Sequence, residues 1–368
     1  MSGMSLSIAI VGLPNVGKST LFNALTDSNI LAANYPFATI EPNTGIVPVP
    51  DERLLTLSEL YHDAPIKPAT VTFVDIAGLV AGASKGEGLG NQFLSHIRSC
   101  NAIVQVVRAF EDANVTHVDE SHNPQKDIDV INTELVLADL QTVTNRLPRV
   151  KKEAKANPKL KPYADLLEQV KQTLDEGTPL FAESRDMSQE SRTWLRQELQ
   201  LLTLKPIIYL FNVDEVKLTD TDMQSQVKSL VAPAPALFVC AKLEDELRGL
   251  DAGDRTELLE SYGAHESGLV QLIHTAYETL GLQSYLTAGD KEVRAWTIPR
   301  GATAPQAAGV IHGDFERGFI AADIVSYPDL VAAGSLPAAR SAGKVRTEGK
   351  TYHMQPDDIV EFKFNVSR

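Results

Sequence analysis

The residues that could do chemistry begin close to the N-terminus, with the stretch Gly12–Leu13–Pro14–Asn15–Val16–Gly17–Lys18–Ser19. It fits the spacing G-x-x-x-x-G-K-[ST] of a phosphate-binding loop, whose backbone N–H groups surround phosphate oxygens at the start of a helix. In such a loop Lys18 reaches the β- and γ-phosphates, and the Ser19 hydroxyl binds Mg²⁺. The predicted nucleotide contacts are Asn15, Val16, Gly17, Lys18, Ser19 and Thr20.

Two further stretches extend this site toward Mg²⁺ and the γ-phosphate. Asp75–Ile76–Ala77–Gly78 has the form D-x-x-G, in which the Asp75 carboxylate holds Mg²⁺, usually through water, and the Gly78 amide senses the γ-phosphate. Thr39, which ends the stretch Tyr35–Pro36–Phe37–Ala38–Thr39, is placed to close over the metal. An ordinary loop threonine is the alternative interpretation of Thr39. The predicted metal ligands are thus Ser19, Thr39 and Asp75.

The stretch expected to bind the nucleotide base is Asn212–Val213–Asp214–Glu215. It differs from the N-K-x-D motif of guanine-specific proteins. Val213 replaces the lysine, and Glu215 replaces the last aspartate with a carboxylate one methylene further out, which would crowd the guanine edge. Adenine has an acceptor at N1 and a donor at N6 and does not need the carboxylate clamp. We therefore expect ATP rather than GTP, with a GTPase of degenerate motif as the alternative. The residues predicted to line the base site are Asn212, Val213 and Glu215, with the S-A-K-like Cys240, Ala241 and Lys242.

The group that orients the attacking water has to be sought outside these motifs. Many related proteins use a glutamine just after D-x-x-G, but the positions here are Leu79 and Val80, which cannot do so. Histidines are the natural candidates, namely His117 after a predicted strand and His96 after the second motif. The alternative for either is an ordinary surface or capping histidine, and slow intrinsic turnover is expected in both cases.

The motifs need a scaffold, and the sequence predicts an α/β fold with a parallel sheet covered on both faces. Short apolar strands alternate with helical patterns and end at turns or motif residues. The predicted strands are Ser7–Val11, Thr70–Val74, Ala102–Val107, Pro206–Phe211 and Ala236–Val239, and a helix is predicted over Ser19–Thr26.

Between residues 127 and 204 the pattern changes to three apolar stripes with helical spacing, which predicts an inserted antiparallel helical hairpin. Its tip is expected near residues 150–162. A basic run with the single acid Glu153 lies there, and its members are Arg146, Arg149, Lys151, Lys152, Lys155, Lys159 and Lys161. A solvated helix face is the ordinary interpretation of such a run, and contact with a phosphate backbone is the sharper one.

Composition limits the remaining possibilities. The 368 residues suffice for two or three domains, and 34 basic against 48 acidic side chains give a net charge of −14, which excludes a uniformly basic nucleic-acid coat. The acidity is concentrated in residues 1–125 and 205–283, so a local basic patch is still allowed. Cys100 and Cys240 cannot form a disulfide framework. Without a signal peptide or a membrane-length apolar run, the protein is expected in the cytoplasm.

Taken together, the motifs resemble those of the YchF/Obg-like ATPase family. The resemblance rests on GLPNVGKST, DIAGLV, GEGLGNQFL, NVDE and VRAWTIPRGATAPQAAGVIH, and it covers essentially the whole chain. It implies a G domain in two parts, residues 1–126 and 205–283, interrupted by a helical coiled-coil arm over 127–204. A TGS domain of β-grasp fold would follow over 284–368.

The family resemblance also implies an activity. Its members prefer ATP, use Mg²⁺, bind ribosomes and show ribosome-stimulated hydrolysis, with a hydrophobic residue in place of the catalytic glutamine, here Leu79. The family's catalytic histidine corresponds to His117, which favours it over His96. We accordingly expect a monomeric switch that binds the 70S ribosome or its 50S subunit, and rRNA, through the arm and the TGS domain. K⁺ bound at Asn15 is a further hypothesis. The alternatives are a plain GTPase and an adaptor protein with a regulatory nucleotide.

Overall fold

The computed structural model of the chain describes residues 6–27, 43–77, 89–109, 123–183 and 186–365. Its strands are β1 (Ser7–Val11), β2 (Thr44–Pro48), β3 (Ile66–Lys67), β4 (Thr70–Asp75), β5 (Ala102–Ala109), β6 (Ile207–Val213), β7 (Ala236–Val239), β8 (Leu282–Gly289), β9 (Glu292–Pro299), β10 (Phe319–Ser326), β11 (Arg346–Glu348) and β12 (Asp358–Phe364).

The described α-helices are α1 (Lys18–Asp27), α2 (Glu52–Leu60), α3 (Leu89–Ser99), α4 (Pro124–Ala156), α5 (Lys161–Asp175), α6 (Leu180–Glu183), α7 (Gln189–Leu199), α8 (Thr221–Val231), α9 (Ala241–Glu246), α10 (Ala252–Ser261), α11 (Gly268–Thr279), α12 (Ala304–Ile311), α13 (Gly313–Arg317), α14 (Tyr327–Ala333) and α15 (Leu336–Ser341). Short 3₁₀ turns cover Pro158–Leu160, Leu202–Leu204 and Glu215–Thr219.

The first sheet carries the predicted motifs. Its strand order is β2-β4-β1-β5-β6-β7, with β2 antiparallel to β4 and the other pairs parallel. β5 and β6 are buried along nearly their whole length, as expected for strands covered on both faces. The pairing of Ile10 with Asp75, and of Arg108 with Asn212, brings the carboxyl ends of four neighbouring strands to one edge. The predicted α/β fold is confirmed.

The predicted strand Pro206–Phe211 is shifted in the structure, where β6 runs from Ile207 to Val213. Asn212 and Val213 therefore belong to the strand, because they continue the pairing with β5 at Arg108 and Ala109. The base motif thus starts inside a buried strand, and Asn212 has a fixed backbone.

We call residues 124–199, from α4 to α7, the arm. The long helix α4 and the returning helix α5 form the predicted hairpin, and its turn lies at Asn157–Leu160. The arm has an apolar core of its own, in which buried side chains of α4, α5 and α7 meet; they include Val143, Val150, Leu167, Val170 and Leu195.

The helix α4 continues without a break through Pro148. A proline inside a helix removes one backbone hydrogen bond and strains the preceding turn. Val143 and Val150 are buried on either side of it. Burial of these side chains against the arm core offsets the cost of the proline, so the helix continues for 33 residues.

The base of the arm is fixed by buried polar contacts. The carboxylate of Asp139, on α4, accepts hydrogen bonds from the backbone N–H groups of Leu202 and Thr203, both at 2.8 Å, and from the Thr203 hydroxyl at 2.7 Å. Asp139 is fully buried, and this burial raises the pKa of its carboxyl. Lys205 Nζ donates to the carbonyl oxygens of Arg98, at 3.1 Å, and of Cys100, at the end of α3.

The second sheet has the order β11-β10-β12-β8-β9-β3. The β8–β9 hairpin is antiparallel, whereas β12 is parallel to β8, which is the mixed arrangement expected of a β-grasp domain. The helices α12 and α13 pack on this sheet, and a local core forms around Tyr285.

The two sheets are joined directly. The edge strand β3 comes from the N-terminal part of the chain and pairs with β9. The Arg53 guanidinium donates to the Pro356 carbonyl at 2.8 Å and to the Asp357 carboxylate at 2.9 Å. Leu286 and Val293 belong to the same continuous core as the first sheet. Side chains of both sheets therefore contribute to one continuous core, which also takes in Ile128, Ile131 and Leu135 at the start of α4, whereas the rest of the arm has a separate core.

Within the residues that the structure describes, no helix is both long and apolar enough to cross a membrane.

Replacement of Asp139 by alanine tests the junction at the base of the arm. The change leaves two backbone N–H groups and one hydroxyl without their acceptor, so it should lower the free energy of unfolding by about 3 kcal/mol. Urea denaturation followed by circular dichroism measures this loss. Asp165→Ala, at an exposed position of α5, is the control and should change the value by less than about 0.5 kcal/mol. Equal stability of the two variants would contradict the structural role of Asp139.

Candidate nucleotide-binding site

The phosphate loop connects the end of β1 to the start of α1 and needs glycine at two positions. Gly17 has φ +89°, and a β-carbon there would lie 2.4 Å from Asn212 Nδ2. A β-carbon on Gly12 would lie 2.9 Å from the Val106 carbonyl oxygen. The loop is therefore packed tightly against β5 and β6, and side chains at these two positions would push it away from them.

Lys18 and Asp75 form an ion pair at the centre of the site. Lys18 is only 9% exposed, and Asp75 is the last residue of β4, next to β1. Ser19 and Thr20 follow on the first turn of α1 and are exposed. A serine hydroxyl and a carboxylate are hard oxygen donors, which suit Mg²⁺. The donor chemistry of Ser19 and Asp75 therefore fits the predicted metal.

Asn212 connects the phosphate loop to the loop expected to hold the base. Its Nδ2 donates to the Val16 carbonyl at 3.0 Å, and its Oδ1 accepts from the Ala241 N–H at 3.1 Å. The side chain is 4% exposed, so water cannot easily replace either partner. The structure thus brings together three stretches that the sequence placed in one site.

The predicted base residues divide into buried and exposed groups. Glu215 and Lys242 form an ion pair, with 2.7 Å between Oε1 and Nζ, and the hydrogen bond from this pair raises the pKa of Lys242. Val213 is buried in the core of the sheet. Cys240 is also buried, and burial raises the pKa of its thiol, which favours the protonated form.

Glu244 is a supporting residue that sequence analysis missed. It is buried on α9, where its carboxylate accepts from the Ser267 hydroxyl at 2.7 Å and from the Leu269 N–H at 3.3 Å. Burial raises the pKa of this carboxyl. The contact ties α9, which begins with Ala241 and Lys242, to the start of α11. The only signal in the sequence is an acidic residue next to the apolar Leu243. That signal is too weak to identify the contact between Glu244 and Ser267.

The described part of the structure does not place every predicted residue in the site. Thr39, Gly78 and His117 lie outside the described residues, as do Leu79 and Val80. His96 is exposed on α3, and its carbonyl oxygen accepts from the Ser99 hydroxyl at 2.7 Å.

Comparison with known proteins places this site in a family. A family model described as "50S ribosome-binding GTPase" matches residues 7–145, and YchF-GTPase_C, described as "Protein of unknown function (DUF933)", matches residues 282–365. The chain is 49% identical to the ribosome-binding ATPase YchF of Bacillus subtilis (strain 168) and 50% identical to that of Escherichia coli O157:H7. Both alignments cover 99% of this chain and 100% of the relative. The chain belongs to the YchF family.

Solved structures agree with this assignment to the YchF family. The chain superposes on the YchF GTPase of Schizosaccharomyces pombe with a TM-score of 0.85 and 38% identity, covering 99% of each chain. A GTP-binding protein from Pyrococcus horikoshii OT3 is similar with a TM-score of 0.59 and 20% identity, over 98% of this chain and 100% of that one. The second likeness supports the fold alone.

Asn212→Ala tests the connection between the phosphate loop and the base loop. The variant loses both hydrogen bonds of the amide, so nucleotide affinity should fall about tenfold. Isothermal titration calorimetry measures the dissociation constant. Asn101→Ala is a matched control, because Asn101 accepts one hydrogen bond, from the Ser7 N–H at 3.0 Å, at the start of β1. An affinity loss of the same size in both variants would contradict a specific role for Asn212.

Proposed function

We propose that this chain is a Mg²⁺-dependent ATPase that prefers ATP to GTP and acts as a nucleotide-dependent switch on the ribosome, in translation or stress regulation. The observation that carries the proposal is the phosphate loop, where the buried Lys18 pairs with the half-buried Asp75 of β4 and is followed by the exposed Ser19. The relatives also support the proposal. Proteins that are about half identical to this chain over their full length are named ribosome-binding ATPases.

ATP rather than GTP is proposed as substrate because of Glu215. The printed names of the relatives differ on this point, since the curated proteins are called ATPases and the solved relative is called a GTPase. In this chain the last residue of the base motif is a glutamate that already has a partner, Lys242. A carboxylate engaged in this way is poorly suited to accept from guanine.

Lys18 is proposed to exchange partners when nucleotide binds. Its ammonium group is paired with the Asp75 carboxylate. A triphosphate in the loop offers a denser negative charge, so Lys18 would move to the phosphates and free Asp75 to bind Mg²⁺ together with Ser19 and Thr39. Bound Mg²⁺ would neutralise charge that develops on the phosphate oxygens. The Gly78 amide would then sense the γ-phosphate.

His117 is the residue proposed to orient the attacking water. Leu79 and Val80 have no polar group for that task, and exposed His96 on α3 has no described contact with the site. K⁺ at Asn15 is proposed as an activator, because Asn15 is an exposed residue of the phosphate loop, with φ +64°. Equal hydrolysis rates in K⁺ and in Na⁺ would contradict activation by K⁺ at Asn15.

Substitution of Lys18 and of His117 by alanine tests the catalytic assignment. Lys18→Ala should abolish hydrolysis, because the phosphates lose their fixed positive charge. His117→Ala should slow hydrolysis about a hundredfold and leave nucleotide affinity nearly unchanged, as expected for loss of a general base. Single-turnover hydrolysis and equilibrium titration separate the two effects.

The control for these variants is Lys228→Ala, which removes an exposed lysine of α8. Its rate and affinity should equal those of the parent protein. Retained activity in Lys18→Ala would contradict the site assignment. A large loss of affinity in His117→Ala would contradict its catalytic role and favour a structural one.

The tip of the arm is proposed to contact rRNA, in the 70S ribosome or its 50S subunit, with the C-terminal sheet as a second contact. Ion pairs occupy part of the predicted basic run, since Lys151 pairs with Glu168, and Arg149 with Glu153. Among the described residues, Lys152, Lys155 and Lys159 are exposed at the tip and have no acidic partner. These three are therefore the better candidates for phosphate contacts. We further propose a monomer located in the cytoplasm.

Reversal of charge at Lys152, Lys155 and Lys159, each changed to Glu, should weaken ribosome binding about tenfold or more. It should also reduce the salt dependence of binding, because fewer counterions are released from RNA. Sedimentation with ribosomes over a range of KCl concentrations measures both effects.

The matched control changes the same three lysines to arginine, which keeps the positive charge and should keep ribosome binding. Basal ATP hydrolysis should be unchanged in both variants. Unaltered binding of the glutamate variant would show that the arm tip does not contact RNA phosphates.

A further inference from the structure

A cavity of about 510 Å³ lies between the end of α2 and one face of the second sheet. The strands β8, β10 and β12 contribute Ala288, Val325 and Ile359 to its lining. Leu60 at the end of α2 and Leu336 at the start of α15 also line it, and both are only half-buried. The cavity therefore leaves apolar surface uncovered. Its volume is in the range of about 300–1,000 Å³ that is typical of sites for small molecules.

The register of the second sheet places charged side chains on the same face as this apolar lining. In the antiparallel pairing of β10 with β12, Asp323 lies opposite Glu361, and Val325 lies opposite Ile359. Since alternate residues of a strand share a face, all four side chains are on one side of the sheet. The helices α12 and α13 pack on the other side, with Val360. The cavity thus has an apolar lining and a charged border.

The charged groups at the border are only loosely paired. Arg340 on α15 lies 3.6 Å from the Asp323 carboxylate and 3.8 Å from that of Glu361, which is too long for hydrogen bonds. Asp323 has a closer partner in Lys363, at 2.7 Å. The Glu361 side chain is 66% exposed. Glu361 is therefore a carboxylate whose oxygens are accessible to a ligand in the cavity.

A second carboxylate lies at the same border. Asp290 follows β8 and is 3.9 Å from the His62 ring, and both side chains are exposed, so water weakens this contact. Burial raises the pKa of the Tyr61 hydroxyl, and the negative charges of Asp290 and Glu361 raise it further. These two carboxylates therefore act on the same part of the cavity and make it electronegative around Tyr61.

We propose that this cavity binds a small molecule with an apolar body and one cationic group, either an ammonium or a guanidinium. The apolar body covers Ala288, Val325 and Ile359, and the cation lies at the border formed by Glu361 and Asp290. Carboxylates are the strongest acceptors for such a cation. The cavity shares no residue with the predicted nucleotide site, so this site does not depend on the proposed function.

The test uses three probes that share an indole ring and end in different groups. Tryptamine carries an ammonium, tryptophol a hydroxyl and indole-3-propionate a carboxylate. Titrations of the full chain, followed by ligand-observed NMR, give the three dissociation constants. Tryptamine should bind about tenfold more tightly than tryptophol, and indole-3-propionate should bind most weakly. Binding of indole-3-propionate as tight as that of tryptamine, or no binding of any probe, would overturn the proposal.

Removal of the two border charges shows whether they select the cation. In a double variant with Glu361→Gln and Asp290→Asn, tryptamine should bind no more tightly than tryptophol, whose own affinity should not change. The matched control combines Glu257→Gln on α10 with Glu316→Gln on α13, which removes two exposed carboxylates outside the cavity. This control should keep the preference for tryptamine. Unchanged preference in the first double variant would overturn the assignment of the cation.

Filling the cavity tests where the indole ring binds. Ala288→Phe places a ring against the apolar lining, so binding of all three probes should be lost. Circular dichroism and titration with ATP should show that this variant is folded and keeps its nucleotide affinity. Retained binding of tryptamine by folded Ala288→Phe would place the probe elsewhere and overturn the proposal. If Ala288→Phe does not fold, the double variant of Glu361 and Asp290 decides the question.

Discussion

The two hydrogen bonds of the Asn212 amide are the constraint on which the nucleotide site depends. They hold the Val16 carbonyl and the Ala241 N–H to one buried side chain, and so fix the distance between the phosphate loop and the base loop. The arrangement requires Gly17, because a β-carbon there would collide with the same amide. It also requires β6 to continue through Asn212 beside β5.

Hydrogen bonds also join the helix beside the site to the base of the arm. The helix α3 begins after the D-x-x-G stretch, and its last carbonyl groups accept hydrogen bonds from Lys205, where the chain returns from the arm. Arg98 on α3 also donates to the Thr142 hydroxyl of α4, at 3.2 Å. The start of α4 belongs to the core that both sheets contribute to, whereas the rest of the arm has a separate core. These contacts connect the helix that follows the D-x-x-G stretch to the base of the arm.

Local patterns in the sequence were sufficient to predict the phosphate loop, the strands that end in motif residues, and the helical hairpin with its tip. Contacts between distant residues could not be predicted in this way. Glu244 with Ser267 and Arg53 with Asp357 join segments that carry no shared motif. Nor could the sequence reveal that α4 continues through Pro148, because the local cost of proline is offset by packing against α5 and α7. The Lys242–Glu215 pair was missed because each residue was assigned to the base separately.

The most direct test of a ribosome-stimulated ATPase is the rate of nucleotide hydrolysis by the full chain, measured with ATP and with GTP, in the presence and absence of 70S ribosomes. We expect slow ATP hydrolysis by the protein alone, faster ATP hydrolysis when ribosomes are added, and lower rates with GTP in both conditions. GTP hydrolysis as fast as that of ATP, or an ATP rate that does not respond to ribosomes, would contradict this expectation.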